Sequence, residues 1–273
     1  MEHSRHIGRT HRHVSFSYPL SLRQSLYSLV LAPLGMLVLA FFFIHTFSAT
    51  YSSTDHVSLA YLLAALGATF LRLTVAFMLA LFCSIPLAVL ITHNRIAEHI
   101  FLPVFDVLQS IPVLAFFPVA IIFFVHYGFY SGAAIFIIFL SMLWNIVFSL
   151  VGGMHSIPAD IKEVGVIFGV RGFAYIRKIL IPASTPYLIT GSLLAWAQGW
   201  NIVIVAEVLH TYLPGGTDAS DVFGIGSVLV HASSTGQQQT FLAAIVIMTV
   251  AIAFLNLFIW QKLLRYGEQF KFE

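Results

Sequence analysis

The feature that most constrains this chain is its division into stretches of about 20 mainly apolar residues, the length an α-helix needs to cross the hydrocarbon core of a bilayer. Six such stretches occur, near Leu26 to Phe47, Leu66 to Thr92, Val104 to Tyr127, Ser131 to Met154, Pro186 to Ala206 and Phe241 to Gln261. They predict an all-α, polytopic membrane protein with six transmembrane helices. Composition decides which solvent those helices face. Of the 273 residues, 59% are hydrophobic and 9% are Asp, Glu, Lys or Arg, against about 25% charged in soluble domains. So few charges cannot coat a water-soluble body of this length, and most side chains are expected to meet lipid. A net charge of +2 offers no basic face for nucleic acid, so no nucleic-acid partner is expected. The single cysteine, Cys83, excludes an internal disulfide and reads as a small packed thiol in an apolar run. The first stretch is too long for a secretory signal, starts too far into the chain and lacks a small-residue cleavage site, so it is expected to be retained.

Orientation follows from the cations, which are held on the cytoplasmic side. Arg5, Arg9, Arg12 and Arg23 precede the first stretch, Arg95 follows the second, Lys162, Arg171, Arg177 and Lys178 follow the fourth, and Lys262, Arg265 and Lys271 follow the sixth. The opposite loops carry no Lys or Arg and hold Asp55, Glu207, Asp218 and Asp221. Both termini are therefore expected in the cytoplasm, which an even number of spans requires. Residues 1–25 form a basic tail containing His3, His6, His11 and His13, either a polar cytoplasmic tail or a metal-binding tract. Residues 26–65 hold the first span and its outer loop, 66–265 the other five spans with a loop at 156–182, and 266–273 a second cytoplasmic tail.

The 156–182 loop carries more local order than a simple connection needs. Pro158 opens a short helix in which Ile161, Val164 and Phe168 form an apolar stripe beside Asp160, Lys162 and Glu163. Gly169 and Gly172 end it, and a second amphipathic stretch, Phe173 to Leu180, runs up to Pro182 and Pro186, which are expected to stop it and restart the chain as the fifth span. Read from physics alone, this is either an interfacial helix on the headgroups or a partner-docking element.

Glu163, Gly169 six positions later and Pro182 thirteen after that, in EVGVIFGVRGFAYIRKILIPASTP, resemble the EAA loop of ABC-importer permeases. Val164 and Gly165 stand where that family has two alanines, and Gly165 weakens the helix by about 1 kcal/mol. The resemblance covers approximately Leu66 to Arg265. ATFLRLTVAFMLALFCSIPLAVLI, FDVLQSIPVLAFFPVAIIFF, WNIVIVAEVL and GIGSVLVHASSTGQQQTFLAAIVIM look like the nitrate/sulfonate/taurine branch, nearest the halves of its duplicated anion-type permeases. It implies the type I importer permease fold in the inner membrane. It also implies two cytoplasmic ABC ATPase subunits, an extracytoplasmic solute-binding protein and a second permease subunit, the same chain or another. Asp160, Glu163, Val164, Phe168, Gly169, Arg171 and Pro182 would then form the ATPase-coupling element, and the solute would be a small anion.

Charged groups inside spans are costly and so are functional candidates. Arg72 either snorkels outward or faces a subunit interface, or it faces an anion, to which a guanidinium is suited. Asp106 is expected to be solvated or paired with Arg95. Glu207 ends the fifth span and could gate an outer vestibule. Asn145 reads first as packing glue, and Asn201 as a pathway residue on the span that lines the path in this family. Pro112 kinks the third span, as Pro118 does, which suits a gate. Trp144, Trp196 and Trp200 are either pathway residues or interfacial anchors, and Gly128 to Gly132 reads as an outer turn. The expected pathway set is thus Arg72, Pro112, Asn145, Trp200, Asn201 and Glu207. The chain has no G-x-x-x-x-G-K-[ST], H-E-x-x-H or G-x-S-x-G pattern and no Cys/His cluster. No catalytic or metal-binding residue and no cofactor is therefore expected here, and ATP with its Mg would sit on the partner ATPase. The rival reading, an ion-gradient-driven transporter, would call for intramembrane carboxylates or inverted repeats.

Overall fold

The computed structural model describes residues 58–170, 172–213, 216 and 220–270, all in the unit Thr54–Glu273. The expected first span near Leu26 to Phe47, the His-rich tail, Arg171, Asp218 and Lys271 lie outside the described residues. In chain order the helices are α1 (Leu59–His93), α2 (Arg95–Ser110), α3 (Val113–Val125), α4 (Tyr130–His155), α5 (Ala159–Ile167), α6 (Phe173–Glu207), α7 (Ile225–Ser234) and α8 (Gln238–Glu268). Among the described residues, α1, α4, α6 and α8 are each long and apolar enough to cross a membrane, and α2 with α3 forms a bent pair that qualifies together. The five predicted spans that fall on described residues each coincide with one of these.

Helix boundaries follow local chemistry. Ser58 caps α1 by accepting from the Tyr61 N–H at 3.2 Å. Asn94, extended between α1 and α2, ends the first and caps the second, its Oδ1 accepting from the Ile96 and Ala97 N–H groups at 2.9 and 3.3 Å. The third span departs from expectation. It is not one kinked helix near Val104 to Tyr127 but two helices that meet at 99°. The break falls at Ile111 and Pro112, because a proline ring bars the preceding residue from helical angles and Ile111 is extended with φ −76° and ψ 128°. Gly128, at φ +74°, makes the expected turn into α4.

A second departure concerns Pro182. It does not stop a helix, because Phe173–Glu207 runs without a break through it and Pro186. The turn Ile176–Leu180 is wound as a π-helix, with the Ile181 N–H reaching back to the Ile176 carbonyl. Widening the turn in this way relieves the clash between a proline ring and the carbonyl four residues earlier.

The core is built by α4 and α6, which pack along each other, with α1 against both. Small residues let them close up. A Cβ on Gly191 would stand 2.6 Å from Ser149 Cβ, and one on Gly199 would collide with Met142. Trp196 is buried within an aromatic cluster, its ring centroid 5.4 Å from Phe77, 5.8 Å from Phe70 and 6.1 Å from Trp260. Trp200 is buried too. Neither is an interfacial anchor. The large exposed apolar residues of α1 and α8, among them Leu71, Phe82, Val250 and Phe254, suit a hydrocarbon solvent.

Candidate functional site

Three polar arrangements stand out against the apolar body. The first lies where α1, the end of α6 and the start of α7 meet. Arg72 and Glu207 form a buried ion pair, with side chains 7% and 0% exposed. Thr69, three residues before Arg72 and therefore on its helix face, donates to Glu207 Oε1 at 2.6 Å and accepts from the Ile225 N–H at 2.9 Å. The Gly226 N–H donates to Glu207 Oε2 at 2.8 Å, and Arg72 Nη2 donates to the Phe223 carbonyl. Gly224 and Gly226 make the close approach possible. A Cβ on Gly224 would overlap the Glu207 carboxylate, and one on Gly226 would lie 2.7 Å from Ile204 Cα. The guanidinium and the carboxylate thus neutralise each other, and neither lines the cavity described below.

This clasp anchors the connection between α6 and α7. His210 donates from its backbone N–H to Asp221 Oδ1 at 2.9 Å, and its Nδ1 lies 2.9 Å from both Asp221 carboxylate oxygens. Tyr212 stacks on Phe117 of α3 with ring centroids 4.2 Å apart. The α6–α7 connection is therefore tied to both α1 and α3.

The second arrangement is the 156–182 loop at the opposite helix ends. α5 begins just after Pro158, carries Asp160 in its first turn, and presents Asp160 and Glu163 to solvent. Val164 lies within α5, and Pro182 lies inside α6, half-buried. Gly169 and Gly172, at φ +65° and +58°, turn the chain from α5 to α6. Flanking that turn, Ile167, Phe168 and Phe173 are 76%, 76% and 77% exposed. Phe168 therefore does not continue an apolar stripe into the chain's own core. The loop's base is anchored, with Ile157 and Leu180 buried and Ile161 packed against the core, while its turn offers bare apolar side chains and α5 presents acidic ones.

The third arrangement is a half-open cavity of about 350 Å³ at the break between α2 and α3, with α4 and α6 forming its other walls. Gln109, Ser110, Pro112, Ser141, Asn145 and Gln198 line it, with Trp144 and Phe116 among the aromatic wall. No Lys, Arg, Asp or Glu is in the lining. Asp106 is not paired with Arg95. It accepts from Gln109 Nε2 at 2.9 Å on its own helix, and Arg95 lies eleven residues, about 16 Å, away along α2. Asn145 lies on α4 about 22 Å from Tyr130 and 15 Å from His155 at 1.5 Å per residue, so the cavity sits near mid-span. Beside it, α6 exposes Tyr187, Thr190, Leu194, Gln198 and Asn201 along one face.

Of the expected pathway residues, the fold brings Pro112 and Asn145 to this cavity, leaves Asn201 exposed on the α6 face one turn from Gln198, and buries Trp200, Arg72 and Glu207 elsewhere. Sequence reasoning missed Thr69, Gly224, Gly226, Gln109, Ser141 and Gln198. The one available signal was spacing, since Thr69 precedes Arg72, and Gln198 precedes Asn201, by three residues.

A bundle of membrane-length helices, one of them broken at mid-span, with a structured loop projecting between two of them, is the architecture of a transport permease. The chain belongs to the family described as binding-protein-dependent transport system inner membrane component, whose sequence model matches residues 80–265. It is 29% identical over 191 residues to the nitrate import permease protein NrtB of Leptolyngbya laminosa, covering 70% of this chain and 64% of that protein. It is 28% identical over 190 residues to the bicarbonate transport system permease protein CmpB of Synechococcus elongatus, covering 70% and 63%. The matched stretch thus spans less than two thirds of the length of these two relatives. Among solved structures, a chain of the MetNI methionine ABC transporter in inward-facing conformations superposes with a TM-score of 0.64 and 16% identity, covering 78% of this chain and 99% of that one. The fold is shared with that importer.

Proposed function

We propose that this chain is the membrane-spanning subunit of an ATP-driven importer that moves a small oxyanion of the nitrate or bicarbonate kind. The observation that carries the reading is the projecting 156–182 loop, whose exposed Ile167, Phe168 and Phe173 are costly to leave in water and gain by entering a groove on a soluble partner. Two cytoplasmic ATPase subunits would bind ATP and Mg and grip this loop, with Asp160, Glu163, Val164, Gly169 and Arg171 around the contact. Pro182, already inside α6, would carry the movement into the span. A second permease subunit, a copy of this chain or a relative, would close the path along the exposed face of α6. A solute-binding protein would deliver the anion at the Glu207 end, and both termini would lie in the cytoplasm.

The coupling follows from mechanics. A helix seated in a groove transmits motion only if it cannot slide. α5 is held to the core through Ile161 and joined to α6 by the glycine turn, while α6 continues from the loop into the core without a break. Movement of the loop therefore tilts α6 as a rigid rod, and with it the face bearing Gln198 and Asn201.

The test is purification in mild detergent followed by reconstitution. The chain is expected to bring down an ATPase, and uptake of nitrate or bicarbonate into vesicles is expected to require ATP and the binding protein. Uptake that survives ATP depletion under a maintained ion gradient would replace this reading with a gradient-driven transporter.

A further inference from the structure

The mid-span cavity shows how this chain could hold the solute, an inference that rests on the reading above. We propose that it is a transient site for a small oxyanion, contacted through neutral amide and indole N–H groups, with no fixed positive charge. Backbone that leaves helical pairing at membrane depth survives only where it is buried in protein or lines a wet cavity, and the Ile111–Pro112 break opens onto this one. The space equals roughly ten water molecules, enough for a partly hydrated ion of a few atoms.

The hydrogen-bond inventory narrows the ligand. Gln109 spends an Nε2 hydrogen on Asp106, Ser110 donates to the Asp106 carbonyl, and Ser141 donates to the Ile138 carbonyl. Asn145 uses one of its two amide hydrogens on the Ser141 carbonyl at 3.2 Å. That leaves the second hydrogens of Gln109 and Asn145, both of Gln198 and the Trp144 indole N–H, none with a partner among the described residues. The lining also carries amide and hydroxyl oxygens, so the pocket presents donors to an anion when the Asn145 and Gln198 amides turn their NH2 groups inward. The one intramembrane guanidinium described, Arg72, is committed to Glu207 and Phe223.

Absence of a fixed cation suits passage. A charge-assisted hydrogen bond is roughly twice as strong as a neutral one, so a guanidinium here would hold the anion too long, whereas conduction requires binding weak enough to release. The same lining reads hydrogen-bonding shape and size, so oxyanions of similar size and charge should pass alike.

Two measurements test this. In the Cys83→Ser background, Gln198→Cys is modified with an anionic methanethiosulfonate in detergent, with Asn145→Cys as the second variant if the first does not fold. Nitrate or bicarbonate is expected to slow modification by about twofold when present at its dissociation constant, and chloride at equal ionic strength is expected to protect less. Equal rates in all three salts overturn the proposal. In reconstituted complexes, Gln198→Glu and Asn145→Asp are expected to cut nitrate uptake by about tenfold or more, because a like charge at close range repels the anion. Wild-type uptake by both also overturns it. A wild-type complex that couples ATP hydrolysis yet moves neither anion would defeat the functional reading instead, and the modification assay, which needs no ATPase, would still decide the cavity.

Discussion

Replacing Glu207 by Gln probes the buried clasp, because the side chain keeps its shape but loses its charge and one of its two acceptor oxygens. In the wild-type protein the carboxylate receives Arg72, the Thr69 hydroxyl and the Gly226 N–H. An amide in its place offers one oxygen where the carboxylate offered two, and its NH2 group points donors at donors. Arg72, 7% exposed, keeps the Phe223 carbonyl but loses its countercharge. Removing one partner of a buried ion pair costs about 3–5 kcal/mol, and the orphaned Gly226 or Thr69 donor adds about 1–3 kcal/mol. Thermal melting of the purified protein in mild detergent is expected to show a loss of this order for Glu207→Gln. Arg72→Lys is expected to fall similarly, since an ammonium cannot reach Glu207 and the Phe223 carbonyl together in the guanidinium's fork geometry. The double variant Arg72→Met with Glu207→Leu removes both charges and should recover much of the loss, because apolar replacement of a buried pair is often neutral. A Glu207→Gln protein that melts with wild-type, or a double variant no better than either single one, would refute the assignment of the pair as the structural lock.

The other predictions concern the turns and the loop. Gly226→Ala should destabilise by about 1–3 kcal/mol through overpacking against Ile204 Cα, whereas Gly67→Ala, which meets nothing within 4 Å, should be neutral or gain up to about 1 kcal/mol of helix propensity; parallel melts compare them. Gly169→Val forces a β-branched residue into φ +65°, a strain of about 1–2 kcal/mol, and is expected to leave membrane insertion intact while lowering transport-coupled ATPase activity, as is Glu163→Arg. Phe168→Asp should reduce co-purification of the ATPase, read by pull-down in mild detergent. Pro112→Ala lifts the restriction on Ile111 and should lower nitrate uptake in reconstituted vesicles while the protein still inserts.

Much of the fold was legible because it depends on one-dimensional properties. Apolar run length marked the crossings at α1, α4, α6 and α8, and the glycines and Pro158 marked the loop around α5. The misread helix breaks came from prolines. Pro112 and Pro182 look alike in sequence, yet one breaks the chain by 99° and the other is absorbed by a π-turn. The difference lies in what surrounds them. Ile111 and Pro112 open onto a polar cavity that can satisfy freed backbone groups, whereas Ala183, Ser184 and Pro186 just after Pro182 are buried, where an interrupted helix would strand its polar groups without partners.

The roles of the charged residues divide the same way. Chain composition determined that this is a membrane protein of apolar helices, because a side-chain population with 9% charge has no stable arrangement in water. It also marked Arg72 and Glu207 as exceptional, since charge in a span demands compensation. That each compensates the other across 135 positions of sequence was decided only by tertiary structure. The same packing brought Gln109, Asn145 and Gln198 from three different helices to one cavity. Partner choice is a matter of three-dimensional proximity, and a linear pattern records it only between residues a helical turn apart, as with Thr69 and Arg72.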